Sequence, residues 1–261
     1  MRFWKAICFL SFILPLSEVS WMGIGWGEVP RSPAGGFPAK VGEGEFLITS
    51  FPVELWDRGY AVEAWIYLER DPNPDERFVV IEEPRTFRIS VIHDSKGTRL
   101  EYQRHCSLGS WEEACDIFLE PRKWHHIGLI WCNEGDELNE RTYLIKDGRV
   151  YPRGGWSGPS IQGRLLNKSE VVIIGVREEK IEGGKKNISV IGYIDGIRIS
   201  KGKRYKWKGE EMRYQIPRGR LKPDMETIAL WHFDEGASAS SYRDMSGRKN
   251  TLFRKRTGVK R

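Results

Sequence analysis

The chain has few of the residues that build disulfide-rich or zinc-bound domains. It contains four cysteines in 261 residues, and no two of them have the C-x-x-C spacing of a structural zinc site. It also lacks the G-x-S-x-G, H-E-x-x-H and phosphate-loop motifs, which excludes the commonest hydrolase and nucleotide-binding signatures.

Long apolar runs are also absent. An eleven-residue run at 6–16 follows the basic residues Arg2 and Lys5 and is broken by Ser17 and Glu18. As a helix it would span about 16 Å, half of a bilayer. We therefore expect residues 1–20 to be a signal peptide, cleaved between positions 17 and 27, and the protein to be secreted, periplasmic or at the cell surface. An uncleaved N-terminal anchor is the alternative.

No long stretch shows the 3.6-residue period of a helix, whereas 60–69 alternates with a period of two. Its apolar face carries Tyr60, Val62, Ala64, Ile66 and Leu68, as expected for a strand. Similar patterns predict further strands at 45–50, 77–82, 87–92, 99–104, 124–132, 171–176, 191–199 and 226–233. Asp147-Gly148 between 142–146 and 149–151 predicts a hairpin with a type I′ turn. Many short strands with Gly- and Pro-bearing turns predict an all-β sandwich.

Four of the predicted strand and turn segments carry a resemblance to a known family. They are VEAWI at 62–66, WHHI at 124–127, IKDG at 145–148 and IDGIRI at 194–199. In this order they resemble the laminin-G-like branch of the concanavalin A-like superfamily, over roughly residues 40–250. The resemblance implies a two-sheet antiparallel jelly-roll sandwich. The family usually has Glu where Gly196 stands, so any role of that carboxylate is not carried over.

The segment at 229–250 resembles a hairpin that usually opens such a domain, but here it closes the chain. Either it pairs beside the N-terminal strand, or it begins a truncated second copy. We favour the first, because about thirty residues after position 230 cannot bury their own core. The expected organisation is a signal peptide at 1–20, an extended linker or strap at 21–44, the jelly roll at 45–250 and a basic tail at 251–261.

Two cysteines suggest a covalent link. Cys106 and Cys115 bracket a loop between predicted strands, and a hairpin could bring their Cα atoms to the roughly 5.5–6 Å of a disulfide. We therefore predict this bridge. Cys132 lies in a predicted strand and is expected to be a buried thiol outside any bridge.

The positive charge is concentrated at the C-terminus. From Arg248 onward, fourteen residues contain seven Lys or Arg and no acid. After this +7 and the +1 of residues 1–20 are subtracted from the formal net charge of +6, the body of the chain carries −2. A basic tail can bind anionic polymers or lipids; the alternative is that it is simply a solvated chain end. Since we expect export, we predict no nucleic acid partner and no stable membrane insertion after signal cleavage.

The resemblance extends to glucanases, which place acid and nucleophile on one strand as E-x-D-x-(x)-E. The nearest segment, 114–120, has Ala114 at the nucleophile position. We therefore interpret Asp116 and Glu120 as solubility residues of an edge strand, and His125 and His126 as structural. The sequence predicts no enzyme activity.

Relatives often carry a calcium ion at the rim of the sandwich, and calcium is the one candidate cofactor. Asp244 and Asn250 match the family's loop, and Asp195 is expected nearby; an ordinary Asx turn is the alternative.

Loop aromatics are the candidate ligand contacts, because flat rings stack on sugars. These are Trp111, Trp156 and Tyr151, although each could instead tuck under its own loop. The favoured function is a secreted, non-catalytic binding module for carbohydrate. The alternative is an extracellular protein-interaction or scaffold module, and a glycoside hydrolase is a distant third.

Overall fold

The structure is a computed structural model. It describes residues 29–42, 44–50, 52–53, 55, 59–74, 77–106, 109–133, 140–153, 171–175, 179–181, 184–186, 192–206 and 212–256. For 104–106, 109–114, 133, 140, 153, 179–181 and 184–186 it describes the backbone alone. The predicted signal peptide lies outside these ranges. Within them, no helix is long and apolar enough to cross a membrane.

The described residues form two large antiparallel sheets. Sheet A contains β1 (Ala39–Val41), β3 (Gly59–Leu68), β8 (Trp124–Asn133), β9 (Glu140–Lys146), β10 (Arg149–Arg153), β14 (Gly192–Lys201) and β15 (Thr227–Trp231). Sheet B contains β2 (Glu45–Thr49), β4 (Arg77–Glu83), β5 (Phe87–Asp94), β6 (Gly97–Cys106), β7 (Gly109–Phe118), β11 (Ile173–Gly175), β16 (Ser241–Tyr242) and β17 (Leu252–Arg256). A separate small hairpin pairs β12 (Glu179–Ile181) with β13 (Gly184–Lys186).

The spatial order of strands differs from their order in the chain. Sheet A runs β1-β14-β3-β8-β9-β10, with β15 also paired to β14. Sheet B runs β16-β17-β2-β11-β4-β5-β6-β7. The last described strand, β17, therefore lies beside β2, so the C-terminal segment completes the sandwich next to the first strands described.

The core lies between the two sheets and follows the predicted alternation. Tyr60, Val62, Ala64, Ile66 and Leu68 of β3 are all buried in one apolar cluster with the inward side chains of sheet B. Aligned antiparallel sheets bury alternate residues in this way. The predicted all-β, two-sheet sandwich is confirmed.

Two short strands lie where the sequence was interpreted as linker and tail. β1 falls within 21–44, and β17 occupies five of the eleven residues of the basic tail at 251–261. Both are short and rich in charged or small residues, so neither has the apolar alternation by which the other strands were recognised.

The predicted Cys106–Cys115 disulfide is wrong. The segment between them is mainly strand β7, and the turn is so tight that Cys106 pairs with Gly109. Ala114 pairs with Glu101, so Cys115 lies about six residues from Cys106 along the hairpin, roughly 20 Å at the rise of a strand. This exceeds the reach of a disulfide, and Cys115 is a buried thiol.

Candidate functional site

A cleft opens at the sandwich edge where the chain crosses from one sheet to the other. β1 belongs to sheet A and β2 to sheet B, and the connection turns through Gly42 and Gly44, whose φ angles are 121° and 77°. These values favour glycine. The cleft beside this crossing, here called the edge cleft, has a volume of about 430 Å³. It is lined by Lys40, Val41, Gly42, Glu45, Ser238, Arg254 and Arg256.

Arg254 fixes one wall of the edge cleft. An arginine has five N–H donors, and all five of those on Arg254 are used within the protein. The acceptors, at 2.7–2.9 Å, are the carbonyl oxygens of Lys40, Ala237 and Ala239, the Glu45 carboxylate and the Tyr242 hydroxyl. Arg254 therefore joins β17 to β1, β2 and the 237–239 loop, and contributes charge to the cleft without a remaining donor.

Among the described residues of the lining, Glu45 is the only acidic one, and two arginines engage it. Its Oε2 accepts from Arg254 at 2.9 Å and its Oε1 accepts from Nε of Arg256 at 2.9 Å. Burial alone would raise the pKa of Glu45, but the Arg256 hydrogen bond and the Arg254 charge outweigh it and lower that pKa. Glu45 is thus ionised at neutral pH, and with three cations against one carboxylate the described lining residues carry a net charge of +2.

None of the aromatic residues predicted as ligand contacts is among the described residues that line the edge cleft. Tyr151 lies on β10, at the opposite edge of sheet A from β1, and packs partly buried against the core with the Arg149 guanidinium 5.2 Å from its ring centre. Trp111 lies on β7, the far edge strand of sheet B, and only its backbone is described. Trp156 is outside the described residues. The aromatic site stays a prediction.

The structure brings Asp244 and Asn250 together, in a loop tied to β15. Asp244 Oδ1 accepts from the backbone N–H groups of Leu230 and Ser246, and Oδ2 accepts from the Ser246 hydroxyl and the Asn250 N–H, all within 3.1 Å. Trp231 Nε1 donates to the Asn250 carbonyl at 2.8 Å. Four protein donors surround Asp244, which is the arrangement of a structural turn and does not suit a calcium ion.

Asp195 lies elsewhere, beside Asp234 and Gly36. A Cβ on Gly36 would lie 2.9 Å from Oδ1 of Asp234 and 3.5 Å from Oδ1 of Asp195. Burial raises the pKa of Asp195, and the charge of Asp234 acts in the same direction. Asp234 is already paired with Arg220 through both oxygens, at 2.7 and 2.8 Å. Among the described residues no group of three or more His, Cys, Asp or Glu side chains could hold a metal, so the geometry gives the calcium prediction no support.

The two carboxylates closest to the glucanase pattern are exposed and paired with basic side chains. Asp116 lies 3.1 Å from Arg99 and 3.4 Å from Lys96, and Glu120 lies 3.3 Å from Lys123. β7 is the edge strand of sheet B and ends at Phe118, so Glu120 is beyond the strand that carries Asp116. The two do not form a facing pair.

A second charged group is buried on the outer face of sheet A. Glu63 accepts from Nε of Arg198 at 2.6 Å, from Nε2 of His126 at 3.0 Å and from the Tyr205 hydroxyl. His126 also contacts the Tyr214 hydroxyl at 2.6 Å. Glu63 and His126 are 2% and 0% exposed, which leaves no room for a substrate, so both act structurally.

Sequence reasoning missed the edge cleft. The basic run Arg254-Lys255-Arg256 was visible, but it was interpreted as a tail because nothing local shows that it pairs with β2. Glu45 and Arg254 are 209 positions apart, and only the β2–β17 register brings them together.

Comparison with known proteins identifies the fold. No family model matches the chain, and no curated protein sequence matches it. A Bacteroides ovatus protein whose provisional description is carbohydrate binding is similar, with a TM-score of 0.56 and 15% identity over 85% of this chain. The fold is a two-sheet antiparallel jelly-roll sandwich. This chain spans 61% of the length of that protein.

Other matches are more distant. The heptameric SAP-like pentraxin of Limulus polyphemus has a TM-score of 0.43 and 16% identity, over 88% of this chain and 94% of its own. Domain 4 of an extracellular arabinanase from Geobacillus stearothermophilus, solved with arabinotriose, has a TM-score of 0.38 and 15% identity, over 57% of this chain and 63% of its own.

Proposed function

We propose that this protein is a secreted, non-catalytic binding module of the laminin-G-like type, and that it binds carbohydrate in the edge cleft. The observation that carries the proposal is the cleft itself. Its volume of about 430 Å³ falls within the usual range of small-ligand sites, and its lining supplies charged and hydroxyl groups for sugar hydroxyls. The provisional description of the similar Bacteroides ovatus protein supports the same ligand class.

The geometry of the acidic residues supports a module without hydrolytic activity. Glycoside hydrolysis needs two carboxyl groups facing each other across the bond. Asp116 and Glu120 are each bound to basic side chains, and Glu63 is sealed from solvent. Release of reducing sugar from a β-glucan by the pure protein would contradict this part of the proposal.

The test is a glycan array probed with the full chain and with two variants of β17. Arg256 lines the cleft, whereas Lys255 is exposed on the opposite face of the same strand. We expect bound glycans to be lost in Arg256→Gln and retained in Lys255→Gln, which removes the same charge. A blank array with folded protein would contradict carbohydrate binding and favour the protein-interaction alternative.

The same array tests the residues predicted from sequence. Binding that survives Arg256→Gln but is lost in Trp111→Ala or Trp156→Ala would place the site at these aromatic residues instead of the cleft. Repeating the array with a calcium chelator tests the calcium prediction. Loss of binding would show that a bound cation is needed, although the geometry around Asp244 does not suggest one.

A further inference from the structure

We propose that the edge cleft selects acidic polysaccharides, and that the carboxylate or sulfate group of the sugar pairs with Arg256 and Lys40. The inference rests on the proposed function and names the class of glycan. Three observations carry the inference: the hydrogen-bond donors of the cleft that are already engaged, the donors that remain open, and the absence of aromatic residues from the described lining.

Arg256 offers an open anion-binding fork. Its Nε donates to Glu45, but no described residue accepts from its two terminal nitrogens, and its side chain is 75% exposed. The planar guanidinium matches the spacing of oxygens on a carboxylate or sulfate and can bind them in a bidentate manner. Glu45 orients this fork from behind, because it holds Nε at 2.9 Å.

Lys40 supplies a second cation. It is half-buried in the lining, and within the described part of the chain no carboxylate lies within ion-pair distance of its ammonium group. Its backbone is held on both sides, because its N–H donates to Ala237 at 2.9 Å and its carbonyl accepts from Arg254 at 2.9 Å. The position of the stem is therefore fixed while the charged end can reach a ligand.

The lining favours charge recognition over stacking. None of the seven described residues that line the cleft is aromatic. A neutral sugar usually gains affinity from an aromatic platform, and single-stranded nucleic acids depend on stacking for their bases. Because its described lining carries a net charge of +2 and no ring, the cleft recognises its ligand through ion pairs and hydrogen bonds. An acidic sugar chain fits these requirements better than a neutral glycan or an oligonucleotide.

The experiment compares three ligands of similar length by titration calorimetry with the full chain: oligogalacturonate, a sulfated oligosaccharide and a neutral β-glucan oligosaccharide. We expect the acidic ligands to bind and the neutral one to bind at least tenfold more weakly. Raising the salt from about 20 mM to about 300 mM should weaken the acidic ligands, because exposed ion pairs are screened. The uronate and sulfate arms show which anionic group is preferred.

Three variants assign the effect to the cleft. Arg256→Gln and Lys40→Met should each weaken acidic binding by roughly tenfold, the size expected for one charge-assisted contact. Lys255→Gln should change it less than twofold. Equal loss in Lys255→Gln would show a general polycation effect and would overturn the inference, as would equal binding of a DNA oligonucleotide. Equal binding of the neutral glycan would overturn the inference alone, whereas absence of any glycan binding would overturn the proposed function as well.

Discussion

Glu63 shows how much one buried charge depends on its partners. Burial alone would raise its pKa, but the hydrogen bond from His126 and the charge of Arg198 outweigh burial and hold that pKa below its ordinary value of 4.5. Arg198 is only 6% exposed, so its guanidinium is buried against Glu63 and depends on it as a counter-charge. A buried ion pair adds little compared with apolar packing, but removal of one partner is costly.

We predict that Glu63→Gln destabilises the protein by about 3–5 kcal/mol. The substitution leaves the Arg198 cation buried without its counter-charge, and the new amide N–H groups face the donors of Arg198 and His126. Urea unfolding measures the change in the free energy of unfolding. The control is Glu120→Gln, an exposed ion-pair partner of Lys123, which should cost less than about 1 kcal/mol. Similar losses in both variants would show that Glu63 is not specially stabilised.

The lowered pKa of Glu63 also predicts a pH dependence. A carboxyl group whose pKa falls on folding contributes stability above its unfolded pKa, and that contribution is lost as the pH falls through the folded value. The difference in unfolding free energy between wild type and Glu63→Gln should therefore be constant near neutral pH and shrink below about pH 4.5. Comparison of the two proteins cancels the titration of other acids. A difference that stays constant down to about pH 3 would contradict this assignment.

At the scale of elements, the strands with apolar alternation could be predicted and the others could not. β3, β5 and β8 have alternating inward residues, and the structure confirms them within one or two positions. The first part of β7, 109–114, was interpreted as a loop, because Gly109 to Glu113 has no apolar alternation. Its strand conformation comes from pairing with β6, a tertiary effect that local sequence does not show.

The departure from the family pattern at Gly196 also has an element-scale cause. The register between β14 and β3 shifts between Asp195 and Arg198, so β14 contains a bulge there. Gly196 has φ +55°, and a Cβ would lie 3.2 Å from Ala34. A bulge with a left-handed residue and a close neighbour favours glycine over the glutamate that the family usually has.

The outer face of sheet A is covered by a segment that the sequence did not reveal. Here called the cover segment, it consists of 202–206 and 212–222, and its Tyr205 and Tyr214 contact the Glu63 group. Tyr214, with Met212 and Ile216 beside it, packs on a second apolar cluster that includes Cys132. Burial raises the pKa of both tyrosines, so their hydroxyls stay protonated and donate or share hydrogen bonds across the neutral range.

We predict that Gly148→Ala loosens this cover and destabilises the protein by about 2–3 kcal/mol. Gly148 has φ +87°, as the predicted type I′ turn requires, and a left-handed alanine costs about 1–2 kcal/mol. Its Cβ would also lie 3.2 Å from Ile216 and 3.3 Å from the Tyr214 carbonyl, which adds a steric cost. Thermal and urea unfolding measure the total.

Gly247→Ala is the matched control for this prediction. Gly247 has φ +83°, and nothing lies within 4 Å of the added Cβ, so it has the backbone cost alone. The excess destabilisation of Gly148→Ala over Gly247→Ala measures the contact with the cover segment. Equal destabilisation in the two variants would show that contact between the cover segment and the turn adds no steric cost.

At the scale of the whole molecule, the edge cleft exists because the two ends of the described chain meet. β1 and β2 come from its beginning and β17 from its end, and β2 pairs with β17 over five residues. The sequence could indicate a sandwich from its alternating strands, but it could not show this closure, since no motif marks the charged strand β17 as a partner of β2. The site therefore depends on topology more than on any local pattern.

At the same scale, the apolar core holds the described part of the sandwich together without a disulfide at Cys115 or Cys132. A bridge across a loop this short would stabilise by about 2–3 kcal/mol, so its reduction would lower Tm by several degrees. Cys115 and Cys132 are thiols and are 0% and 5% exposed. We expect Tm to be unchanged by a reductant, and both cysteines to react with a thiol reagent only after unfolding, as mapped by mass spectrometry of the labelled peptides. The control is to add the reductant to the unfolded protein. This addition should not increase the labelling of Cys115. If Cys115 of the unfolded protein is labelled only after reduction, the result would support the predicted disulfide and contradict the register of β6 and β7.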